Sequence, residues 1–201
     1  MPYAGPASRL EHVLANALTC CNLAAGISAT LMDGDGGRVR RPTLILLGAA
    51  CDGLDGPLAR RSGHPTDLGA RADGISDVIS CGVAPAVLLA RQSGSLPSPL
   101  ATLAPRLYLA AIAWRVSKYG FDPRTSHVFR GLPVTGAGVV VGTGLLLRLP
   151  PRVMTSLTLA LVAAMVSPLP VLSGEAMVRR RALRATDYRV AFPDSARLEQ
   201  E

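Results

Sequence analysis

Two long stretches without a charged residue place the strongest limit on what this chain can fold into. Residues 13–32 form one run of 20 residues, and residues 153–174 form another of 22. A helix needs about 20 mostly apolar residues to cross the hydrocarbon core of a bilayer. Only 17% of all residues are charged, whereas a soluble domain carries about 25%. Both observations favour an integral membrane protein.

The same composition argues against other classes of protein. With 49% hydrophobic residues the chain is unlike a disordered segment, and four cysteines are too few for a disulfide-rich secreted domain. A net charge of +7 is compatible with binding to nucleic acid. Because a membrane protein carries basic residues as topology signals, we expect no nucleic-acid partner.

Shorter apolar segments between the two long runs complete a pattern of six helices. The second and third become full spans only if they include the acidic stretch between them. The predicted helices cover residues 12–33, 42–61, 68–91, 99–119, 132–149 and 152–173. The expected fold is all-α, an integral membrane bundle of about six transmembrane helices over residues 1–173. A basic cytoplasmic tail follows at residues 174–201.

The basic residues indicate how the bundle is oriented. With the N-terminus in the cytoplasm, the inside segments hold 14 of the 21 basic residues and the outside loops hold six. This asymmetry predicts a multi-pass protein of the cell membrane. The acidic stretch at residues 52–77 then faces the cytoplasm. Three arginines of the first outside loop run against the pattern: Arg38, Arg40 and Arg41.

Five of the fourteen acidic residues lie within residues 52–77, next to membrane-embedded segments. A carboxylate in a bilayer is costly and persists where it is paired, metal-bound or catalytic. Asp52 and Asp55 are three residues apart, and Asp73 and Asp77 are four apart, so each pair shares one helix face. Because only a short connection separates the two helices, both faces can meet near the cytoplasmic surface.

Four carboxylates at such close range repel one another unless cations neutralise them. Oxygen ligands without His or Cys favour Mg²⁺, Mn²⁺ or Ca²⁺, and two such ions suit a diphosphate substrate. Gly53, Gly56 and Gly69 remove side chains beside the acids, and Arg60 can reach a phosphate oxygen. The alternatives are a loop of solvated acids and a proton pathway in a transporter.

The spacing of these residues resembles a family signature. The arrangement D-x2-D-G-x2-A-R-x8-G-x3-D-x3-D is typical of the CDP-alcohol phosphotransferases, and every spacing is kept in this chain. The layout of six spans, with the motif across the second and third, is also similar to that family. The fixed positions are Asp52, Asp55, Gly56, Ala59, Arg60, Gly69, Asp73 and Asp77.

Within this family the flanking segments most resemble bacterial and archaeal phosphatidylserine synthases. Residues 77–89, 129–138 and 18–26 are similar to their D-V-V-S-F-G-V-A-P-A, F-x-G-L-P-x-P-A-A-A and L-T-x-x-N-x-x-x-G segments. Cys81 stands where Phe is usual, and Thr135 stands where a second Pro is usual. These departures leave the acidic motif intact but fall in regions that could shape the alcohol site.

The resemblance implies a reaction. A phosphatidyl group would move from CDP-diacylglycerol to an alcohol, with L-serine as the expected acceptor and CMP as the leaving group. The resemblance also implies that Asp52, Asp55 and Asp73 hold two ions of Mg²⁺ or Mn²⁺. Asp77 would act as general base on the serine hydroxyl and would also contact a metal.

Further residues acquire expected roles from the same resemblance. Gly56, Ala59 and Gly69 would leave room for the cytidine, with Arg60 near the phosphates. Asn22 is a polar residue in an apolar span, and it would contact the nucleotide or form a hydrogen bond between helices. The expected contacts of the acceptor carboxylate or the lipid phosphate are three cytoplasmic cations, which could equally be topology signals: Arg115, Lys118 and Arg130.

Three alternatives remain at this point. The acceptor could be glycerol-3-phosphate or an inositol phosphate, which would need a further basic pocket. A small cation transporter could use the acids from Asp52 to Asp77 as an ion path. A silent membrane scaffold is the third, and the intact motif argues against it. Family members are often homodimers, so a homodimer is also expected.

Overall fold

The computed structural model describes residues 6–33, 37–61, 67–93, 98–119 and 131–167. Within these ranges every regular element is a helix, which confirms the all-α prediction. A π-helical segment, Val78–Val83, joins the third α-helix to the fourth. The α-helices are α1 (Pro6–Leu31), α2 (Gly37–Arg61), α3 (Asp67–Asp77), α4 (Ala84–Ser93), α5 (Pro99–Tyr119), α6 (Val134–Leu146) and α7 (Pro151–Val166).

The described ranges form six helical rods, because α3, the π segment and α4 follow one another without a break. This number agrees with the six predicted helices. The largest difference in the starts is in α1 and α2, which begin at Pro6 and Gly37 rather than at residues 12 and 42. The prediction assigned the arginines before Pro42 to a loop, whereas they form the first turns of α2. Helix α7 ends at Val166, and Ser167 is no longer helical, whereas the sixth helix was predicted to continue to residue 173. The predicted tail at residues 174–201 lies outside the described residues.

Close helix packing surrounds the start of the π segment. A Cβ atom on Gly26 of α1 would lie 2.5 Å from the Cα of Ser80. A Cβ atom on Gly48 of α2 would lie 3.3 Å from the Cβ of Ser80. On α6, a Cβ atom on Gly138 would lie 2.5 Å from the Cβ of Cys81. Small residues let helices approach in this way. Gly138 is one of the small residues that allow α6 to pack directly against the π segment.

Pro85 removes one α-helical hydrogen bond from the π segment. Pro85 has no backbone N–H, so the carbonyl oxygen of Cys81 lacks the donor that an α-helix would provide four residues on. The hydroxyl of the fully buried Tyr108, on α5, donates to that oxygen at 2.7 Å. Single π turns within α-helices are frequent near functional sites. Here the π segment begins immediately after Asp77.

Two helical stretches in the described part are long and apolar enough to cross a membrane by length and composition: Leu10–Leu31 and Leu68–Ser93. Helices α6 and α7 are apolar but shorter. Many large apolar side chains point outward, including Leu31, Leu54 and Leu68, which are 71%, 62% and 79% exposed. An exposed apolar surface of this kind marks a contact with lipid or with another protein.

Candidate active site

Three of the four motif carboxylates meet between α2 and α3. One carboxylate oxygen each from Asp52, Asp55 and Asp73 lies within 4.8 Å of the other two. Asp55 is buried, and the other two are half-buried. Spacing of three residues brings Asp52 and Asp55 to one face of α2, and α3 carries Asp73 against that face. The predicted convergence of the two helix faces is confirmed for these three residues.

Asp77 lies at the end of α3 and has its own set of partners. The side-chain nitrogen of Asn22, on α1, donates to Oδ1 of Asp77 at 3.0 Å. The hydroxyl of Thr135, on α6, donates to Oδ2 at 3.1 Å. The carboxyl group of Asp77 also adjoins that of Asp52. Both oxygens of Asp77 are thus oriented by neutral donors from two other helices.

Helix α1 contacts the acids at a second point. The hydroxyl of Thr19 donates to Oδ2 of Asp55 at 3.0 Å. Thr19 and Asn22 are three residues apart, so they lie on one face of α1. A role for Asn22 was predicted from the sequence, whereas Thr19 was missed, although its spacing of three residues from Asn22 is a readable signal. Thr135 was predicted only to depart from the family pattern.

Asn22 is fully buried, and its bond to Asp77 is the interhelical hydrogen bond expected as one of its two possible roles. Its contact with a nucleotide stays a prediction. Gly48 of α2 makes room for the amide, because a Cβ atom there would lie 2.7 Å from Oδ1 of Asn22. That oxygen is buried and has no hydrogen-bond partner among the described residues. Gly48 therefore belongs to the packing that positions Asn22.

The three-carboxylate cluster fits a metal ion. Oδ1 of Asp73 is buried and has no hydrogen-bond partner in the part of the chain described. Buried oxygens of this kind are rare unless a water or an ion completes them. The cluster offers carboxylate oxygens only, which Mg²⁺ and Mn²⁺ accept as ligands. Asp52, Asp55 and Asp73 could therefore hold a divalent cation.

Space remains open beside the acids. A Cβ atom on Gly53 would have no other atom of the described residues within 4 Å, so the backbone of α2 is bare at the position that follows Asp52. Gly56 and Gly69 are half-buried on α2 and α3. Ala59 and Arg60 belong to the last turns of α2, but their side chains lie outside the described part. The nucleotide contacts expected of these four residues stay predictions.

The three residues predicted to contact the acceptor differ in where the structure places them. Arg115 is buried on α5, with 6% of its surface exposed. The ammonium nitrogen of Lys118 lies 4.7 Å from the centre of the Trp114 ring, within the range of a cation–π interaction. Arg130 lies outside the described residues. A role in binding the acceptor remains a prediction for all three.

The chain is similar to known proteins. A model of the CDP-alcohol phosphatidyltransferase family matches residues 12–169. A CDP-diacylglycerol–serine O-phosphatidyltransferase of Methanocaldococcus jannaschii is 36% identical over 126 residues, which cover 62% of this chain and 57% of that protein. An archaetidylserine synthase of Methanothermobacter thermautotrophicus is 31% identical over 132 residues, covering 65% of this chain and 56% of that protein.

A bacterial relative gives a similar result. A CDP-diacylglycerol–serine O-phosphatidyltransferase of Mycobacterium leprae is 30% identical over 142 residues, which cover 67% of this chain and 47% of that protein. The chain thus spans about half the length of the curated relatives it matches.

Proposed function

The chain belongs to the CDP-alcohol phosphatidyltransferase family, and we propose that it transfers a phosphatidyl group from CDP-diacylglycerol to L-serine. The products are phosphatidylserine and CMP. The convergence of Asp52, Asp55 and Asp73 carries this proposal, because three carboxylates at this range can hold a cation, and a diphosphate substrate is bound through cations. The serine named in the relatives' activities supports the choice of acceptor.

We assign two ions of Mg²⁺ or Mn²⁺ to this site, with Asp52, Asp55 and Asp73 as ligands and a further contact from Asp77. When bound, such ions neutralise the diphosphate and the departing CMP. The protein's own contribution is to hold the carboxylates at a fixed separation. Thr19 supports this by orienting the carboxylate of Asp55, and the packing of α3 against α1 and α2 supports it for Asp73.

Asp77 acts as general base in this proposal and takes the proton of the serine hydroxyl. A carboxylate offers about four lone-pair sites, so the bonds from Asn22 and Thr135 leave room for that proton. Their effect is to hold the carboxylate in one orientation. A base held within hydrogen-bond reach of the hydroxyl contributes about 10²–10⁴-fold to the rate.

The remaining assignments follow from the family signature. Gly56, Ala59 and Gly69 leave room for the cytidine, and Arg60 contacts the phosphates. The basic residues Arg115, Lys118 and Arg130 are proposed to bind the serine carboxylate or the lipid phosphate. The bare backbone at Gly53, next to Asp52 on α2, supports the approach of a ligand beside the acids.

The six helical rods are proposed to cross the cell membrane, with the N-terminus and the acidic cluster on the cytoplasmic side. The apolar stretches Leu10–Leu31 and Leu68–Ser93 support this arrangement, as do the exposed apolar side chains. The excess of arginines in the proposed cytoplasmic segments supports its direction. A lipid substrate could then reach the site laterally from the bilayer, and serine from the cytoplasm.

One assay tests the function. The purified full chain is supplied with CDP-diacylglycerol and Mg²⁺ or Mn²⁺, and with serine, glycerol-3-phosphate or inositol phosphate in parallel reactions. We expect CMP release with serine alone. Release of CMP with one of the phosphorylated alcohols would change the assigned acceptor and leave the assigned reaction type unchanged. Cation flux in liposomes without CMP release in any reaction would favour a transporter.

A further inference from the structure

A second polar site lies at the other end of the bundle. A cavity of about 480 Å³ opens where α2 and α7 begin and where α4 and α6 end. Arg41 is eleven residues before Asp52 on α2, which places its backbone about 16 Å away along the helix axis. This cavity is therefore separate from the acidic cluster. Its principal lining residues are Arg38, Arg41, Arg91, Arg148, Leu88 and Leu145.

The four arginines make this cavity strongly electropositive. Two helix N-termini, at Gly37 and Pro151, and the C-terminal ends of α4 and α6 meet at the cavity. Their dipoles offset one another, so the arginines determine the sign of the charge. The carboxylate of Asp33 forms ion pairs with Arg91 at 3.0 Å and with Arg41 at 3.7 Å. It is 84% exposed and so neutralises the cavity only in part.

The arginines differ in how far the protein already uses them. Arg91 donates to the carbonyl oxygens of Thr30 and Met32 and to Asp33, which secures the end of α1. Arg41, in contrast, has a buried Nε without a hydrogen-bond partner among the described residues. A buried N–H without a partner costs free energy unless something else accepts the hydrogen bond. Arg41 also lines the cavity, where its guanidinium group can donate to a bound anion.

The backbone of Arg148 is an independent indication that the cavity binds an anion. Its backbone has φ 55, the left-handed region that favours glycine. Arg148 and Leu149 donate their N–H groups to the carbonyls of Leu145 and Gly144, which is the hydrogen-bond pattern of a helix C-cap in which glycine is the common residue. The chain therefore carries a cation at a position where its backbone conformation favours glycine.

Guanidinium groups pair with phosphate oxygens through two parallel hydrogen bonds. The walls formed by Leu88 and Leu145 are apolar, as the acyl chains of a lipid require. Arginines on the outer side of the membrane are unexpected from the positive-inside pattern, and four of the six assigned there line this one cavity. We propose that this cavity binds the phosphate group of an anionic phospholipid in the leaflet opposite the acidic cluster.

The test measures lipid binding and requires no turnover. The full chain in detergent is titrated with short-chain phosphatidylglycerol, and the bound lipid is counted by native mass spectrometry. Two variants remove a cation from the cavity, Arg41→Gln and Arg148→Gly, and the second also relieves the backbone. Arg40→Gln is the matched control, because Arg40 is exposed on the same turn of α2 and does not line the cavity.

We expect wild type, Arg40→Gln and Asp73→Asn to bind phosphatidylglycerol equally, since Asp73 belongs to the other site. Binding should be about tenfold weaker in Arg41→Gln and in Arg148→Gly, the effect of losing one charge-assisted pair. The midpoint of thermal unfolding of Arg148→Gly should not fall, which separates lost binding from lost folding. Phosphatidylcholine should bind more weakly than phosphatidylglycerol.

Equal binding in Arg41→Gln, Arg148→Gly and Arg40→Gln would overturn the proposal. Inorganic phosphate that binds as tightly as phosphatidylglycerol would overturn the lipid assignment and leave a simple anion site. Because none of these readouts involves CMP release, a failure here is distinct from a failure of the proposed transfer reaction.

Discussion

Thr135 donates its hydroxyl hydrogen to Oδ2 of Asp77 at 3.1 Å, across 58 residues of chain. Asn22, from the other end of the domain, occupies Oδ1 of the same carboxylate. Helices α1, α3 and α6 therefore meet at one group, which is the proposed general base. The orientation of that base depends on residues that the acidic motif does not contain.

Replacing Thr135 by valine removes the hydroxyl and keeps the shape of the side chain. We expect kcat to fall about tenfold, the cost of one lost hydrogen bond of roughly 1–1.5 kcal/mol at the base. KM for CDP-diacylglycerol should change little, because Thr135 acts through Asp77. Thr135→Ser should restore most of the rate. Thr143→Val, an exposed position on the same helix, is the control. A uniform loss of protein in Thr135→Val without a change in kcat would indicate a structural role alone.

Asp73→Asn and Asp77→Asn should each abolish CMP release while the chain still inserts into membranes. The two substitutions remove a proposed metal ligand and the proposed base without a change in side-chain size. The measurement is CMP release by the purified variants in the presence of Mg²⁺ or Mn²⁺. Near wild-type turnover in either variant would contradict the role assigned to that residue.

Metal binding can be tested without turnover. A ligand that binds only the folded state stabilises it by about 2.7 kcal/mol at a concentration of one hundred times Kd. We expect Mn²⁺ to raise the unfolding temperature of the wild-type chain, and a chelator to reverse the effect. In Asp52→Asn and in Asp73→Asn the shift should be much smaller. An equal shift in all three proteins would place the ion elsewhere.

The bare backbone at Gly53 predicts opposite effects on stability and activity. Gly53→Ala fills space that no described atom occupies and favours the helical state of α2 by about 1 kcal/mol. The unfolding temperature should therefore stay or rise, while KM for CDP-diacylglycerol rises if the ligand approaches here. Gly48→Ala is the contrasting variant, because its Cβ atom would collide with Asn22 and should lower both stability and kcat. Unchanged kinetics in Gly53→Ala would remove this face of α2 from the substrate site.

The spacing of residues in the sequence predicted which acids form the site, but not most of the residues that orient them. Intervals of three and four residues were enough to predict which acids share a helix face, because such intervals reflect the helical repeat. Asn22 was visible as a polar residue in an apolar run. The contact of Thr135 with Asp77 could not be predicted from the sequence. It depends on the packing of α6 beside the π segment, which is a long-range relation without a local signal. The first turns of α2 were missed because charged residues before Pro42 resembled a loop.

The bond from Tyr108 to the carbonyl of Cys81 allows a double-mutant test of the π segment. Tyr108→Phe leaves a buried carbonyl without its donor, which should lower the free energy of unfolding by about 1–3 kcal/mol. Pro85→Ala returns a backbone N–H to the position that would serve this oxygen in an α-helix. We therefore expect Tyr108→Phe to cost about 1 kcal/mol less in the Pro85→Ala background.

The measurement is the free energy of unfolding of the wild type, the two single variants and the double variant in one detergent. The change in the double variant minus the sum of the changes in the two single variants gives the coupling energy between the proline and the tyrosine hydroxyl. Strictly additive effects would show that Tyr108 does not substitute for the N–H that Pro85 lacks. Coupling together with a fall in kcat for Pro85→Ala would connect the π segment to the position of Asp77, the residue that precedes it.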